Sequence, residues 1–184
     1  KGIIRMERVG FIGVGIMGSG MLISSQEAEY NTLIEGGAGI HSLDRSMPDT
    51  LPERLEAGTV GLPAIAGLKS GIEYVNSVGL DNISRREKTL SAMLVRRLSR
   101  DERFRFHGET CGSVVSFTVD GFTTTEIGER LNRAGICVRC GYHCAPLAHR
   151  TLGTLDGGTV RVSFSHLNTA DEVDYLADTL LRIK

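Results

Sequence analysis

The sequence predicts a small α+β domain in which an antiparallel sheet carries helices on one face. From residue 104 onward, segments that alternate apolar and polar residues are separated by segments with apolar residues every three or four positions. Their order is strand, strand, helix, strand, strand, helix, which is typical of α+β domains and not of a parallel βαβ repeat. The chain has 184 residues, 41% of them hydrophobic and 23% charged, so it is able to bury a core and is not disordered as a whole.

Two helices are predicted before the sheet. In the first, from Pro63 to Tyr74, apolar residues recur at three- and four-residue steps, and the second starts near Asn82 after a break. One face of the second helix carries arginines, which we interpret as a solvated surface: Arg85, Arg86, Arg96, Arg97 and Arg100. Because no aromatic residues are interleaved with them and the net charge is −1, we expect neither nucleic acid nor a membrane as a partner.

Alternation and turn residues place the remaining elements. Strands are expected at 104–108, 114–119, 136–139 and 159–164. A helix that begins after an N-cap threonine, Thr123, is expected to run to Ala134 and to end at Gly135. Asn168 is well placed to cap the last helix.

The strand 159–164 fixes the direction of one arginine. Side chains alternate along a strand, so Val160 and Val162 share one face while Arg161 and Ser163 share the other. The valines should face the helices. We therefore expect Arg161 to point away from the helices, toward a cleft.

The glycine-rich segment near the N-terminus has three interpretations. Its apolar run after basic residues has the outline of a secretory signal, although five glycines weaken any helix and no cleavage site follows. Gly13, Gly15 and Gly18 have dinucleotide-binding spacing, and the run 9–21 resembles the opening of the β-hydroxyacid dehydrogenases, which would imply an NAD-dependent enzyme. The third interpretation is a glycine-rich strand in another fold.

The densest group of reactive residues lies between 137 and 149. Three of the four cysteines (Cys137, Cys140 and Cys144) and two histidines fall within it, a pattern compatible with a metal site or with reduced, reactive thiols. The spacing has no distant matching pair, so no metal site is predicted. Cys144 is the best nucleophile, because His143 beside it and Arg139 nearby would stabilise a thiolate.

The segments 135–147 (GICVRCGYHCAPL) and 158–176 (GTVRVSFSHLNTADEVDYL) resemble the C-terminal domain of the cysteine desulfurases, which belong to the class V aminotransferase family of pyridoxal-phosphate enzymes. The segments 54–68 (RLEAGTVGLPAIAGL) and 33–42 (LIEGGAGIHS) resemble the family's E-x-G-T segment and its GG-containing loop. The resemblance implies the small domain of a fold-type I transferase, together with the edge of its large domain.

The resemblance implies a role for individual residues. Cys144 matches the cysteine that accepts sulfur as a persulfide, and His143 matches the histidine just before it. Arg161 matches the arginine that binds the substrate carboxylate, and Arg139 matches a second arginine of the active site. The remaining matches, which would reach the cofactor phosphate of the partner subunit in a homodimer, are Gly58 and Thr59.

The lysine that binds the cofactor covalently in this family has no clear match. Counting back from the glycines at 15–20 places that position on Phe11, and the family's proline falls on Ile16. Only four lysines exist: Lys1, Lys69, Lys88 and Lys184. Lys1 is the candidate cofactor lysine only if about ten residues have been inserted between it and these glycines, relative to the family's segment.

The resemblance sets the expected organisation. Residues 1–65 are predicted to be a remnant of the large cofactor-binding domain, and residues 66–184 the interdomain helices and the small C-terminal domain. Because the sequence starts at Lys1 and not at Met, we expect a fragment or a processed chain. Its location is expected to be cytoplasmic, in keeping with reduced thiols.

The resemblance also implies the activity. The expected function is the pyridoxal-phosphate-dependent removal of sulfur from L-cysteine, which gives alanine and a persulfide for a sulfur-acceptor protein. The alternatives are a selenocysteine lyase or another class V aminotransferase-like enzyme, and a non-catalytic binding or structural domain. The glycine fingerprint leaves the dehydrogenase as a further alternative.

Overall fold

A computed structural model describes residues 10–12, 21–23, 32, 35–37, 39–40, 43–44, 46–108 and 112–184 of the chain. The chain divides into two compact units, with the boundary between Tyr74 and Val75. The division at residue 65 expected from the sequence stays a prediction. Within the part of the chain that is described, no helix is both long and apolar enough to cross a membrane.

The first unit contains a short hairpin and most of a long helix. Strand β1 (Gly10–Ile12) pairs antiparallel with β2 (Met21–Ile23), and helix α1 (Leu62–Val78) follows an irregular segment. In a dinucleotide-binding unit the first two strands are parallel and a crossover helix connects them. The antiparallel pairing of β1 with β2 differs from that arrangement. The glycines of the fingerprint, Gly13, Gly15 and Gly18, lie outside the described residues.

The second unit is an antiparallel sheet with helices. Its elements are α2 (Leu80–Leu98), β3 (Phe104–Phe106), β4 (Val114–Val119), α3 (Thr124–Arg133), β5 (Arg139–Gly141), α4 (Pro146–Leu152), β6 (Thr159–Ser163) and α5 (Ala170–Leu181). The strand order in the sheet is β3-β4-β6-β5, and every neighbouring pair is antiparallel. The predicted α+β class is therefore confirmed, although β5 lies at 139–141 and not at 136–139.

Two helix starts show how the local sequence sets the elements. Thr123 accepts a hydrogen bond from the Glu126 amide, and the Glu126 side chain accepts one from the Thr123 amide, a complete capping box. The same arrangement at α5 uses Thr169 and Glu172, so the expected N-cap role of Asn168 is wrong. Asn168 instead donates from its amide to the Glu172 carboxylate at 2.9 Å.

The core lies between one face of the sheet and helices α2, α3 and α5. Val160 and Val162 are buried on this face, as the alternation predicts. The apolar stripe of α2 packs against the same core through fully buried Leu90, Leu94 and Leu98. Burying one such leucine contributes about 1.5–3 kcal/mol.

One arginine of the α2 surface is tied to α5. Arg97 donates to Asp174 at 2.6 Å and to Asp178 at 2.5 Å, so it joins the two helices. Arg86 donates to the Asn168 carbonyl at 3.0 Å. The expectation of a solvated arginine face was therefore wrong for Arg97, which is half-buried, whereas Arg86 is exposed as expected.

Candidate functional site

The sheet of the second unit has a polar face opposite the core. Residues that alternate with the buried ones project there, and we call this the polar face: Arg105, Ser116, Thr118, Arg139, Thr159 and Arg161. The prediction that Arg161 turns away from the valines is confirmed, since Val160 and Val162 lie in the core. The short helix α4 follows β5 in the chain, and its His149 ring packs against His143, whose Nε2 lies 3.1 Å from the Thr159 hydroxyl.

Arg139 and Arg161 are neighbours across the sheet. They occupy opposite positions of the β5–β6 pair, so both side chains emerge on the same face. Arg161 is half-buried on the central strand β6, whereas Arg139 is exposed on the edge strand β5. A strand holds a guanidinium in a fixed position better than a loop does.

Cys144 lies in a tight turn between β5 and α4. Its side chain is exposed, and Arg139 Nη2 lies 3.7 Å from its Sγ. His143 and Cys144 have positive φ angles of 52° and 61°, which are unfavourable for residues with a Cβ. Such residues cost about 1–3 kcal/mol each and persist where the surroundings fix them, often at functional sites.

Two glycines allow the turn to lie against β6. A Cβ on Gly158 would fall 2.3 Å from the carbonyl carbon and oxygen of Gly141, so no larger residue fits there without displacement of the backbone. Gly158 also has a φ angle of 73°. This close approach fixes the position at which the chain leaves β5 for His143 and Cys144.

His143 points inward where Cys144 points outward. Its Nε2 is 3.1 Å from the Thr159 hydroxyl. Burial lowers the pKa of His143, and the positive charges of Arg161 and Arg139 lower this pKa further. His143 is therefore neutral at pH 7, and one of its ring nitrogens is able to accept a proton or a hydrogen bond.

Buried polar atoms without partners mark this face. Among the described residues, three buried side-chain atoms have no hydrogen-bond partner: Ser91 Oγ, His143 Nδ1 and Arg161 Nε. Arg161 belongs to the polar face, and His143 lies beside it, with its Nε2 at 3.1 Å from the Thr159 hydroxyl. Because an unpaired buried donor costs about 1–3 kcal/mol, this pattern fits a surface that binds a polar ligand.

The other two described cysteines differ from Cys144. Cys140 lies on the core side of β5, and burial raises the pKa of its thiol. Cys137 is exposed and precedes β5, so the expectation that it lies in a strand was wrong. In the described ranges, no group of three His, Cys, Asp or Glu residues is arranged to hold a metal ion.

In the first unit, the E-x-G-T segment contacts the GG-containing loop. The Gly58 amide donates to the Gly36 carbonyl at 3.0 Å, and a Cβ on Gly37 would lie 3.2 Å from the Gly58 Cα. Thr59 is exposed beside this contact. The Gly58 amide is thus paired within the chain, and the role expected for Thr59 stays a prediction. Lys1 lies outside the described residues.

Helix α4 was missed by the sequence analysis. Pro146 at its first position and Gly153 in the left-handed conformation after its end are the usual signals of a helix start and stop. Its length of 7 residues made these signals easy to overlook. The helix contributes His149, which was considered only as a metal ligand.

Comparisons with known proteins show what the chain is similar to. The family model described as Aminotransferase class-V matches residues 13–176. A probable cysteine desulfurase of Mycobacterium leprae is 34% identical over 92% of this chain and 42% of the relative. A cysteine desulfurase of Synechococcus elongatus is 35% identical over 92% of this chain and 28% of the relative. The chain thus spans less than half the length of these relatives.

Solved structures show the same fold. A cysteine desulfurase from Thermococcus onnurineus is 31% identical, with a TM-score of 0.70 over 80% of this chain and 38% of that one. A cysteine desulfurase from Escherichia coli is 27% identical, with a TM-score of 0.73 over 81% of this chain and 37% of that one. These are fold-type I pyridoxal-phosphate enzymes, as the sequence predicts.

Proposed function

Because this chain belongs to the class V aminotransferase family, we propose that it supplies the sulfur-accepting half of a pyridoxal-phosphate-dependent cysteine desulfurase. The observation that carries the proposal is the placement of an exposed thiol, Cys144, beside Arg139, with Arg161 across the sheet from that arginine. The relatives named as cysteine desulfurases favour L-cysteine as substrate over the selenocysteine and dehydrogenase alternatives.

Arg161 binds the substrate in this proposal. Its Nε is buried without a partner, and a planar guanidinium matches the two oxygens of an α-carboxylate. His143, neutral and adjacent, offers a further polar atom through Nδ1. Both groups orient the amino acid so that its sulfur approaches Cys144.

Cys144 accepts the sulfur. Its thiolate, stabilised by the Arg139 guanidinium, attacks the sulfur of the substrate cysteine. The new S–S bond forms as the substrate C–S bond breaks with its electron pair on carbon, and protonation of that carbon gives alanine. The product on the protein is a Cys144 persulfide, which then passes to a sulfur-acceptor protein.

Pyridoxal phosphate, when bound, supplies the electron sink for chemistry next to the amino acid's α-carbon. The residues present fit such a group in two respects. Thr59 is exposed in a glycine turn, and its hydroxyl suits the phosphate of a cofactor bound by the partner subunit of a homodimer. The unpartnered Arg161 and His143 atoms suit the bound amino acid. We place the enzyme in the cytoplasm, where thiols stay reduced.

The decisive experiment detects the persulfide. Protein that contains this chain and is loaded with pyridoxal phosphate is incubated with L-cysteine, alkylated and mapped by mass spectrometry. We expect a persulfide on the Cys144 peptide, none in Cys144→Ser, and an unchanged amount in the matched control Cys137→Ser. A persulfide confined to another cysteine would contradict the proposal, and its complete absence would favour a non-catalytic domain.

A further inference from the structure

We propose that His149 is a positioning residue whose ring holds the turn 142–144 in the conformation that brings Cys144 to Arg139. His149 is buried, has an exposed fraction of 4%, and has no part in the chemistry described above. The importance of the turn rests on the proposed function of Cys144, whereas the contacts that carry the inference lie entirely within residues 139–159.

The orientation of the His149 ring is fixed by its own helix and the segment after it. Nδ1 lies 2.7 Å from the hydroxyl of Thr154, which is also buried. The backbone adds two bonds, since the His149 amide donates to Ala145 at 3.2 Å and the Thr154 amide donates to the His149 carbonyl at 2.9 Å. The ring therefore cannot turn without breaking a buried hydrogen bond.

The ring packs against both residues that precede Cys144. Its centroid is 5.5 Å from that of Tyr142, nearly perpendicular at 80°, and 5.6 Å from that of His143. Tyr142 is held in turn by a hydrogen bond of 2.7 Å to the Leu155 carbonyl. His149 thus fills the space beneath the turn and supports it from one side.

This support matters because the turn has an unfavourable backbone. Two consecutive residues with a Cβ, His143 and Cys144, have positive φ angles, and such residues persist only where neighbours fix them. If the ring is removed, the turn is free to relax toward negative φ. The Cys144 thiol would then move away from the Arg139 guanidinium, which now lies 3.7 Å away.

The test compares variants that delete the ring with one that keeps it. His149→Ala deletes the ring, and His149→Asn deletes it while keeping a polar atom near Thr154. The double variant His149→Phe with Thr154→Val keeps a ring of similar shape and removes both polar partners, which is nearly neutral for stability. Circular dichroism confirms that each variant is folded.

The readout is the alkylation rate of Cys144 in this chain, divided by that of exposed Cys137 in the same molecule. Near pH 7 we expect both ring-deleted variants to lower this ratio by about 3- to 10-fold, because the Arg139 guanidinium no longer lies beside the reacting sulfur. Near pH 10, where thiols ionise without help, the ratio should change less than about twofold. The double variant should match the parent chain at both pH values.

The outcomes separate positioning from other roles. An unchanged ratio near pH 7 in the folded ring-deleted variants overturns the proposal. A double variant as slow as His149→Ala also overturns it, because the imidazole would then act through its nitrogens and not through its shape. Alkylation needs neither cofactor nor cysteine turnover, so failure of the proposed function would leave this test unaffected.

Discussion

The guanidinium of Arg139 contacts the thiol of Cys144, with 3.7 Å between Nη2 and Sγ. Among the three described cysteines, this contact distinguishes Cys144 from Cys137 and Cys140. Cys140 faces the core, where burial raises the pKa of its thiol. A cation beside a sulfur favours the thiolate, which is the reactive form.

We therefore expect Cys144 to be the most readily alkylated cysteine near neutral pH. With limiting iodoacetamide, peptide mapping should rank it first, and Arg139→Gln should slow it by about 3- to 10-fold. Arg133→Gln is the matched control, since that exposed arginine is paired with Glu129 of α3 at 3.6 Å. Faster labelling of Cys137 or Cys111 would remove the physical support for a persulfide at Cys144.

The second prediction concerns Arg161, which is proposed to bind both oxygens of the substrate carboxylate. In a full-length relative that carries this segment, Arg161→Lys should lower kcat/KM for cysteine by about 10- to 100-fold, since an ammonium does not replace the two-pronged contact. The control is Arg105→Lys on the same face of the sheet, where the arginine is engaged by Asp120 at 2.7 Å. Normal turnover in Arg161→Lys would exclude this residue from substrate binding.

The third prediction tests the close approach of Gly158 to Gly141. Gly158→Ala should lower the free energy of unfolding by about 2–4 kcal/mol, because its Cβ would overlap the Gly141 carbonyl. Gly153→Ala is a matched control: its φ angle of 69° is similar to the 73° of Gly158, but nothing lies within 4 Å of its Cβ. That control should cost only about 1 kcal/mol. Equal losses in urea unfolding would show that the contact does not matter.

The fourth prediction concerns pH. Burial is the main cause of the lowered pKa of both His107 and His143, so the folded state binds fewer protons than the unfolded state as the pH falls through about 6.5. The stability is complete above that pH and is lost as the pH falls toward the folded-state values. The thermal midpoint should drop from pH 7.5 to pH 5.5, and it should drop less in His107→Gln, which removes one of the two groups. A midpoint independent of pH in this window would contradict the assignment.

The fifth prediction concerns covalent cofactor binding. Because the family's lysine position falls on Phe11, this chain alone should bind pyridoxal phosphate weakly or not at all as a covalent species. Borohydride trapping and peptide mapping measure this directly, and Lys1 is the expected position of any adduct. Lys69, paired with Glu73 on α1, and Lys88, on α2, serve as internal controls. A stable adduct at either control would show that the alignment with the family is wrong.

Local sequence signals were sufficient for most elements of the second unit. The alternation of Val160, Arg161 and Val162 correctly assigned their two faces, because side-chain direction along a strand depends only on position. The capping box at Thr123 was also readable, since all its partners lie within four residues. One error arose where a tertiary contact decided the outcome: Arg97 binds two carboxylates of α5 that lie 77 and 81 residues further along the chain. The missed helix α4 and the N-cap misplaced at Asn168, in contrast, both had local signals.

By itself, the sequence determined the class of fold, the family, and the types of residue at the site, because periodicity and motifs are properties of neighbouring positions. Only the tertiary structure decided which of these residues meet. The register of β5 against β6 sets Arg139 opposite Arg161, and the absence of a side chain at Gly158 lets the turn approach β6. The buried ring of His149 lies under Tyr142 and His143, and the positive φ angles beside it leave no periodic signal in the sequence. Strand register and packing are set by contacts between distant residues, and such contacts are fixed only when the whole unit folds.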